Sequence, residues 1–131
     1  MAKVITAARR AGLNVPGECR RLSAEEIERA LLLTYDPEPR VRQAALMNLC
    51  PCHLQQDRAD VWDRVFELAT DSDVGVRKQV VHTLADGSPR RLRERAVATL
   101  QSMRLDSDDV LRRGVRRILA HYRNTGRIAF R

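Results

Sequence analysis

One seven-residue phrase occurs three times in this chain, and each copy begins 35 residues after the previous one. Each copy starts with Asp and ends with an aliphatic residue followed by Arg. The Asp residues are Asp36, Asp71 and Asp106, and the Arg residues are Arg42, Arg77 and Arg112. A fixed period of 20 to 50 residues is the sequence signature of proteins built from stacked repeats. The phrase therefore predicts a solenoid.

The 35-residue offset extends to the segments on both sides of the phrase. Apolar positions recur four residues apart after each copy and three residues apart before it, so each set forms a stripe on one face of a helix. The sets after the phrase are Ala45/Val80/Val115 and Leu49/Leu84/Leu119, and those before it are Ile27/Trp62/Val97, Ala30/Val65/Leu100 and Leu33/Leu68/Met103. The repeating unit is therefore a helix pair, and the pattern predicts an all-α solenoid of about three pairs.

Capping signals place the helix ends within this scheme. Ser23 and Glu26 form a capping box, Pro39 suits the first turn of a helix, and Gly87 follows a helical segment. The predicted helices span about 3–12, 23–34, 39–50, 57–70, 73–85, 89–103 and 108–123. The first helix does not follow the repeat, which predicts an N-terminal cap. We expect one domain over 1–131, with a cap and loop at 1–22, repeats at 23–123 and a tail at 124–131.

Charge divides the chain into two parts. Residues 1–88 carry 12 Lys and Arg against 13 Asp and Glu, whereas residues 89–131 carry 12 Arg against 4 Asp and Glu. The net charge of +7 therefore belongs to the C-terminal third, which favours an acidic partner there or simply a solvated surface. Three cysteines do not suggest a secreted disulfide framework, and no apolar run reaches the length of a membrane span. We expect a cytoplasmic protein without a membrane anchor.

The repeated Asp, with an aliphatic residue and Arg at its end, resembles the HEAT repeat over about residues 23–123. The short period is similar to the bacterial HEAT-like type, also called the phycobilisome-lyase type. The resemblance implies an α-solenoid in which the Asp of one repeat and the Arg of its neighbour form a polar ladder. The matching residues are Asp36, Asp71, Asp106, Arg42, Arg77 and Arg112. We expect these residues to have a structural role, because the planar guanidinium of an Arg can bind a carboxylate and backbone carbonyls at the same time.

Cys50, Cys52 and His53 form a weak candidate metal site, because thiolates and imidazole together suit zinc. The two cysteines are separated by one residue instead of the usual two to four, and Cys19 and His82 are the available additional ligands. The alternative is a buried Cys50 followed by a turn. We therefore expect no cofactor. His-Glu pairs, by which some HEAT-repeat enzymes hold iron, do not occur in this sequence.

The basic C-terminal helix is a second candidate surface. Arginines spaced four apart share faces of this helix and can follow a phosphate backbone or contact an acidic protein. They are Arg112, Arg113, Arg116, Arg117 and Arg123. A solvated capping helix explains the same pattern.

The resemblance also implies that the helices preceding each phrase line the concave side. Off their apolar stripes lie acidic residues in the middle of the chain and basic residues later, so the predicted groove is polarised. The residues that we expect to contact a partner there are Asp60, Asp63, Glu67, Arg91 and Arg95. Such a groove suits a complementary protein segment, although ordinary helix surfaces look the same.

These features predict a non-catalytic scaffold or adaptor that binds an unidentified protein partner across the groove. A nucleic-acid-associated protein that uses the arginines of the last helix is the alternative. A third reading, an accessory factor resembling the HEAT-like bilin lyases, rests on fold analogy. The sequence carries no nucleophile elbow, phosphate loop or paired catalytic carboxylates, and it leaves the oligomeric state open.

Overall fold

The computed structural model of the chain describes residues 1–18, 20–54 and 56–130. Eight α-helices occur in this part of the chain. They are α1 (Ala2–Ala11), α2 (Ala24–Leu33), α3 (Pro39–Asn48), the single-turn α4 (Pro51–Leu54), α5 (Ala59–Glu67), α6 (Val74–Gly87), α7 (Arg93–Ser102) and α8 (Asp109–Thr125). Short 3-10 turns cover Leu68–Thr70, Arg90–Leu92 and Met103–Leu105. The prediction of an all-α chain with seven main helices is confirmed, and α4 is the addition.

Three helix pairs follow one another along the chain. Repeat 1 is α2 with α3, repeat 2 is α5 with α6, and repeat 3 is α7 with α8. One row of helices runs through the stack, because α3 packs against α1 and α6, and α6 packs against α8. None of the helices in the described part of the chain is long and apolar enough to cross a membrane.

The core is made by the apolar columns that define the period. Ala45, Val80 and Val115 are fully buried, as are Ala30, Val65 and Leu100. The column Ile27/Trp62/Val97 is buried in the first two repeats, whereas Val97 is half-buried. This difference indicates that the last pair has lost the cover that a following repeat gives to the others.

Helix α1 caps the N-terminal end of the stack. Its Val4 and Ala8 pack against Ala44 of α3 in a small separate cluster. The helix ends at Gly12, which has a φ of 72° and a left-handed conformation that glycine adopts without strain. The guanidinium of Arg29 donates to the carbonyl oxygen of Ala11 at this end. Helix α1 therefore covers one side of α3, while α6 covers another.

A pair of buried asparagines ties the loop after α1 to α3. The backbone N–H of Asn14 donates to Oδ1 of Asn48 at 3.0 Å, and Nδ2 of Asn48 donates to the carbonyl oxygen of Asn14 at 3.0 Å. Nδ2 also donates to the carbonyl oxygen of Ala44. Because both asparagines are more than nine-tenths buried, these bonds replace the water that the loop backbone has lost.

The C-terminal tail folds back onto the body of the protein. Ile128 packs against the main core, and the ring of Phe130 lies 5.8 Å from the ring of His82 in α6. The tail is therefore held against α6 and the core.

Replacing Asn48 by Ala should destabilise the protein by about 1–3 kcal/mol, because the buried backbone groups of Asn14 lose their partners. Unfolding in urea, followed by circular dichroism, measures this change. Asn124→Ala is the matched control on the exposed end of α8 and should change the free energy of unfolding by less than about 0.5 kcal/mol. Equal effects of the two substitutions would contradict the role of the Asn14–Asn48 pair.

Candidate functional site

Two arginines connect neighbouring repeats through the same set of contacts. In repeat 1, Nε and Nη2 of Arg42 donate to the two carboxylate oxygens of Asp71 in repeat 2, both at 3.0 Å. Arg77 of repeat 2 reaches Asp106 of repeat 3 in the same way, at 2.8 and 3.1 Å. Each arginine also donates through Nη1 to backbone carbonyls of its own repeat, for instance that of Asp36. Each of these Arg–Asp pairs, which we call a rung of the ladder, is therefore a bidentate bond that joins one repeat to the next.

The aspartates of the ladder also shape the backbone at the start of the following helix. Each accepts the backbone N–H two residues later, that of Glu38, Asp73 or Asp108. The hydrogen bonds that Arg77 donates hold the pKa of Asp106 below its usual range, against the opposing effect of burial. The carboxylate of Asp106 is therefore charged at neutral pH and bonded on two sides.

A second row of charge pairs runs beside the ladder. Arg40 bonds to Asp73 at 2.5 Å, and Lys78 lies 3.5 Å from Asp108, so each pair joins one repeat to the next. At the N-terminal end, Arg10 of α1 bonds to Glu38 at 2.8 Å. Glu38 occupies the same repeat position as Asp73 and Asp108. Arg10 of α1 thus supplies the positive charge that a preceding repeat would supply, so Glu38 at the N-terminal end of this row has an ion-pair partner.

Each of the residues predicted to form a polarised groove is already engaged in an ion pair within the chain. Arg91 pairs with Asp57 at 2.6 Å, and Arg95 pairs with Asp63 at 2.7 Å while its guanidinium also lies over the ring of Phe66. Asp60 pairs with Arg58, and Glu67 pairs with Arg64. The structure therefore brings Asp63 and Arg95 together as partners across two repeats, so their charges compensate each other.

Repeat 3 is the last helix pair in the described residues, and α8 presents there the face that α3 and α6 use for contacts with the next repeat. Arg112, Arg116, Leu119 and Arg123 form one stripe along this face. Arg112 occupies the ladder position, but its side chain is 29% exposed, against 12% for Arg42 and 13% for Arg77. It bonds to Asp109 of its own helix and to the carbonyl oxygen of Asp106.

A groove of about 340 Å³ opens between α7 and α8 at this end. Its walls are formed by Val97, Gln101, Arg104, Arg116, Leu119, Tyr122 and Arg123. Three of these wall residues differ in character from their counterparts in repeats 1 and 2, most of which are buried. The counterparts are Leu31 and Phe66 for Gln101, Thr34 and Ala69 for Arg104, and Leu46 and Val81 for Arg116. The last repeat therefore replaces core positions with polar and basic side chains. We call the surface formed by these seven wall residues together with Arg112 the C-terminal groove.

Several guanidinium groups of the C-terminal groove have no acidic partner. Within the described residues, no carboxylate lies within ion-pair distance of Arg104, Arg116 or Arg123. Arg113 and Arg117 lie on the neighbouring face of α8, and Arg113 pairs weakly with Asp109 at 3.7 Å. The sequence alone did not single out Gln101, Arg104 and Tyr122. At the columns of Gln101 and Arg104, a polar residue replaces mostly apolar residues of the first two repeats, whereas the column of Tyr122 carries no such signal.

The candidate metal residues separate into two groups. Cys50 is buried at the end of α3, and its Sγ donates to Oδ2 of Asp86 at 3.1 Å. His82 lies close to both, although sequence spacing had not joined Asp86 to this site. Nδ1 of His53 is buried without a hydrogen-bond partner among the described residues, and its burial lowers the pKa of the imidazole against the opposing charge of Asp86. Cys19 and the side chain of Cys52 lie outside the described part of the chain.

Comparison with known proteins identifies one family. The family model described as HEAT repeats matches residues 28–120. This range begins within α2, includes all three phrases and reaches α8. No curated protein and no solved structure matches the chain significantly.

Removal of one rung should destabilise the stack. Arg77→Ala leaves the carboxylate of Asp106, nine-tenths buried, without its partner, and we expect a loss of about 3 kcal/mol in the free energy of unfolding. Arg113→Ala, an arginine of the exposed face, is the control and should cost less than about 1 kcal/mol. Urea denaturation of both variants measures the difference, and a loss for Arg77→Ala as small as that of the control would refute the structural role of the rung.

The stabilisation by this rung should depend on pH. The pKa of Asp106 in the folded protein lies below its unfolded value of about 3.9. The stabilisation by the Asp106–Arg77 pair is therefore complete above the unfolded pKa and is lost as the pH falls through the folded pKa. The difference in free energy of unfolding between wild type and Arg77→Ala should therefore shrink when urea denaturation is repeated at about pH 3 instead of pH 7. A difference that is independent of pH would contradict the charged Asp106–Arg77 pair.

Proposed function

Because the chain belongs to the HEAT-repeat family, whose repeats commonly mediate protein–protein interactions and are usually non-catalytic, we propose that it is an adaptor that binds a partner protein. The partner contributes an acidic, amphipathic helical segment. It binds in the C-terminal groove, between α7 and α8. We expect this interaction in the cytoplasm.

The observation that carries the proposal is the open end of the ladder. Asp71 and Asp106 each receive the guanidinium of the arginine one repeat earlier, whereas no aspartate of another repeat reaches Arg112 among the described residues. A carboxylate from another molecule can take that position and receive the same bidentate fork, once Nη2 of Arg112 leaves Asp109 of its own helix. The unpaired Arg104, Arg116 and Arg123 extend the positive rim along the groove, so the matching surface is acidic.

The floor of the groove provides the apolar part of the contact. Val97 and Tyr122 are half-buried, and the buried Leu119 lines the same groove. An amphipathic helix that enters a groove places apolar side chains on such a floor and polar ones on the rim. In repeats 1 and 2, the columns of Val97 and Leu119 are buried between helices of neighbouring repeats. A helix is therefore the shape that fits.

A second copy of this chain does not fit the groove. Helix α8 carries five arginines between Arg112 and Arg123 against one acidic residue, Asp109, so two such helices repel each other. The opposite end of the stack is α1, which carries Lys3, Arg9 and Arg10 and no acidic residue. Head-to-tail stacking would therefore also bring like charges together.

The polarised groove of the middle repeats is the less favourable place for the partner. A segment that binds at Asp63 and Arg95 must first break their ion pair, and the same holds for Glu67 with Arg64. By contrast, binding at Arg116 or Arg123 breaks no ion pair among the described residues. We therefore place the primary contact at the C-terminal groove and treat Asp60, Asp63, Glu67, Arg91 and Arg95 as secondary contacts.

A synthetic helical peptide tests this proposal. The probe carries Leu on one face and Glu on the other, and its counterpart carries Lys in place of every Glu. Fluorescence polarisation at moderate salt should show saturable binding of the Glu peptide and none of the Lys peptide. The double substitution Arg116→Glu with Arg123→Glu should reduce the affinity by at least about tenfold, since it replaces attraction by like-charge repulsion.

The matched control is Lys3→Glu with Arg9→Glu in α1, which reverses the same number of charges at the opposite end of the molecule. It should leave binding of the Glu peptide nearly unchanged. An equal loss in both variants would indicate net charge instead of the groove and would overturn the proposal. Tighter binding of a DNA duplex than of the Glu peptide, lost in Arg113→Glu with Arg117→Glu, would favour the nucleic-acid alternative and would also overturn it.

A further inference from the structure

Three side chains with metal-binding donor atoms meet between repeats 1 and 2. Sγ of Cys50, a ring nitrogen of His82 and a carboxylate oxygen of Asp86 all lie within 4.8 Å of one another. Cys50 comes from the end of repeat 1, whereas His82 and Asp86 are one helical turn apart in α6 of repeat 2. Two backbone segments that are distant in sequence therefore present a thiol, an imidazole and a carboxylate to one point.

We propose that Cys50, His82 and Asp86 form a binding site for a divalent transition-metal cation, with Zn²⁺ as the ion that suits this donor set. Zinc accepts sulfur, nitrogen and oxygen ligands in tetrahedral geometry, and three protein ligands with one open position form a recognised type of zinc site. Thiolate and imidazole ligands disfavour Mg²⁺ and Ca²⁺, which prefer oxygen donors alone.

The distances are close to those that the metal requires. Zinc–sulfur and zinc–oxygen bonds at a tetrahedral angle place the two ligand atoms about 3.5 Å apart. Sγ of Cys50 and Oδ2 of Asp86 are 3.1 Å apart and share the thiol proton. A cation in place of this proton therefore requires the two atoms to separate by a few tenths of an ångström. His82 and Asp86 are exposed, so small side-chain rotations can complete the geometry.

The charges of the site also balance around a divalent cation. Binding releases the thiol proton of Cys50 to solvent, so that the thiolate and the carboxylate of Asp86 carry two negative charges and His82 binds as the neutral imidazole. Lys78 is the cationic side chain in the wall of the adjoining cavity, and its ammonium lies 3.5 Å from Asp108. This cationic side chain is thus engaged with another carboxylate.

The cavity beside the cluster provides the access and the fourth position. It has a volume of about 370 Å³, and its walls include Cys50, His53 and His82. Nδ1 of His53 is buried there without a hydrogen-bond partner among the described residues. A polar buried atom of this kind indicates that the cavity accommodates a polar or charged species. The bound cation would join repeat 1 to repeat 2 beside the ladder.

Co²⁺ is the probe for this site, because its absorption reports both thiolate ligation and tetrahedral geometry. The full chain, freed of metal with a chelator, should bind one equivalent of Co²⁺ with a thiolate-to-metal charge-transfer band. One equivalent of Zn²⁺ should displace it, whereas excess Mg²⁺ should not. His82→Asn and Asp86→Asn, both at exposed positions, should each weaken Co²⁺ binding by at least about 100-fold.

Cys50→Ala should abolish the charge-transfer band, and His121→Asn is the control histidine in α8 that should leave the titration unchanged. Circular dichroism of each variant verifies that its helices are intact. Thermal unfolding gives a second readout, since Zn²⁺ should raise the Tm of the wild type and of His121→Asn but not that of His82→Asn. Absence of the band in the wild type, its persistence in Cys50→Ala, or equal loss in His121→Asn would each overturn the assignment.

Discussion

The bidentate bond between an arginine of one repeat and an aspartate of the next is the constraint on which the stack depends. Arg42 with Asp71 and Arg77 with Asp106 each fix the distance and the orientation between neighbouring helix pairs. The same arginines bond to carbonyls of their own repeat, so one planar group holds two repeats at once. Apolar columns supply the burial that stabilises the fold, but they are compatible with sliding, whereas the fork is directional.

The two ends of the stack differ because of this constraint. At the N-terminal end, α1 covers α3 and Arg10 pairs with Glu38, which closes the neighbouring row of charges. At the C-terminal end, Arg112 keeps the ladder position but bonds to Asp109 of its own helix, and no aspartate of another repeat reaches it in the described part of the chain. Terminal repeats generally need a polar outer face, and Arg104 and Arg116 provide one. In doing so, they also create the basic groove that we propose as the binding surface.

The period of 35 residues was sufficient to predict the helix pairs, their order and the buried columns, because stacking repeats forces each column into the same environment. It did not predict which charges would meet between repeats away from the phrase. Asp63 and Arg95 were expected to face a partner, but they are 32 residues apart and bond to each other. The grouping of Cys50 with His82 and Asp86 depends on the relative rotation of α3 and α6, which the sequence pattern does not specify.

The C-terminal end of the ladder, at Arg112, should accept a carboxylate from another molecule. NMR of the arginine Nε–Hε groups tests this claim most directly, because each guanidinium gives its own signal. On addition of a Glu-rich helical peptide, we expect the signals of Arg112, Arg116 and Arg123 to shift, while those of Arg42 and Arg77, each held by the aspartate of the next repeat, stay in place. Shifts confined to Arg91 and Arg95, or no shift at Arg112, would contradict the account.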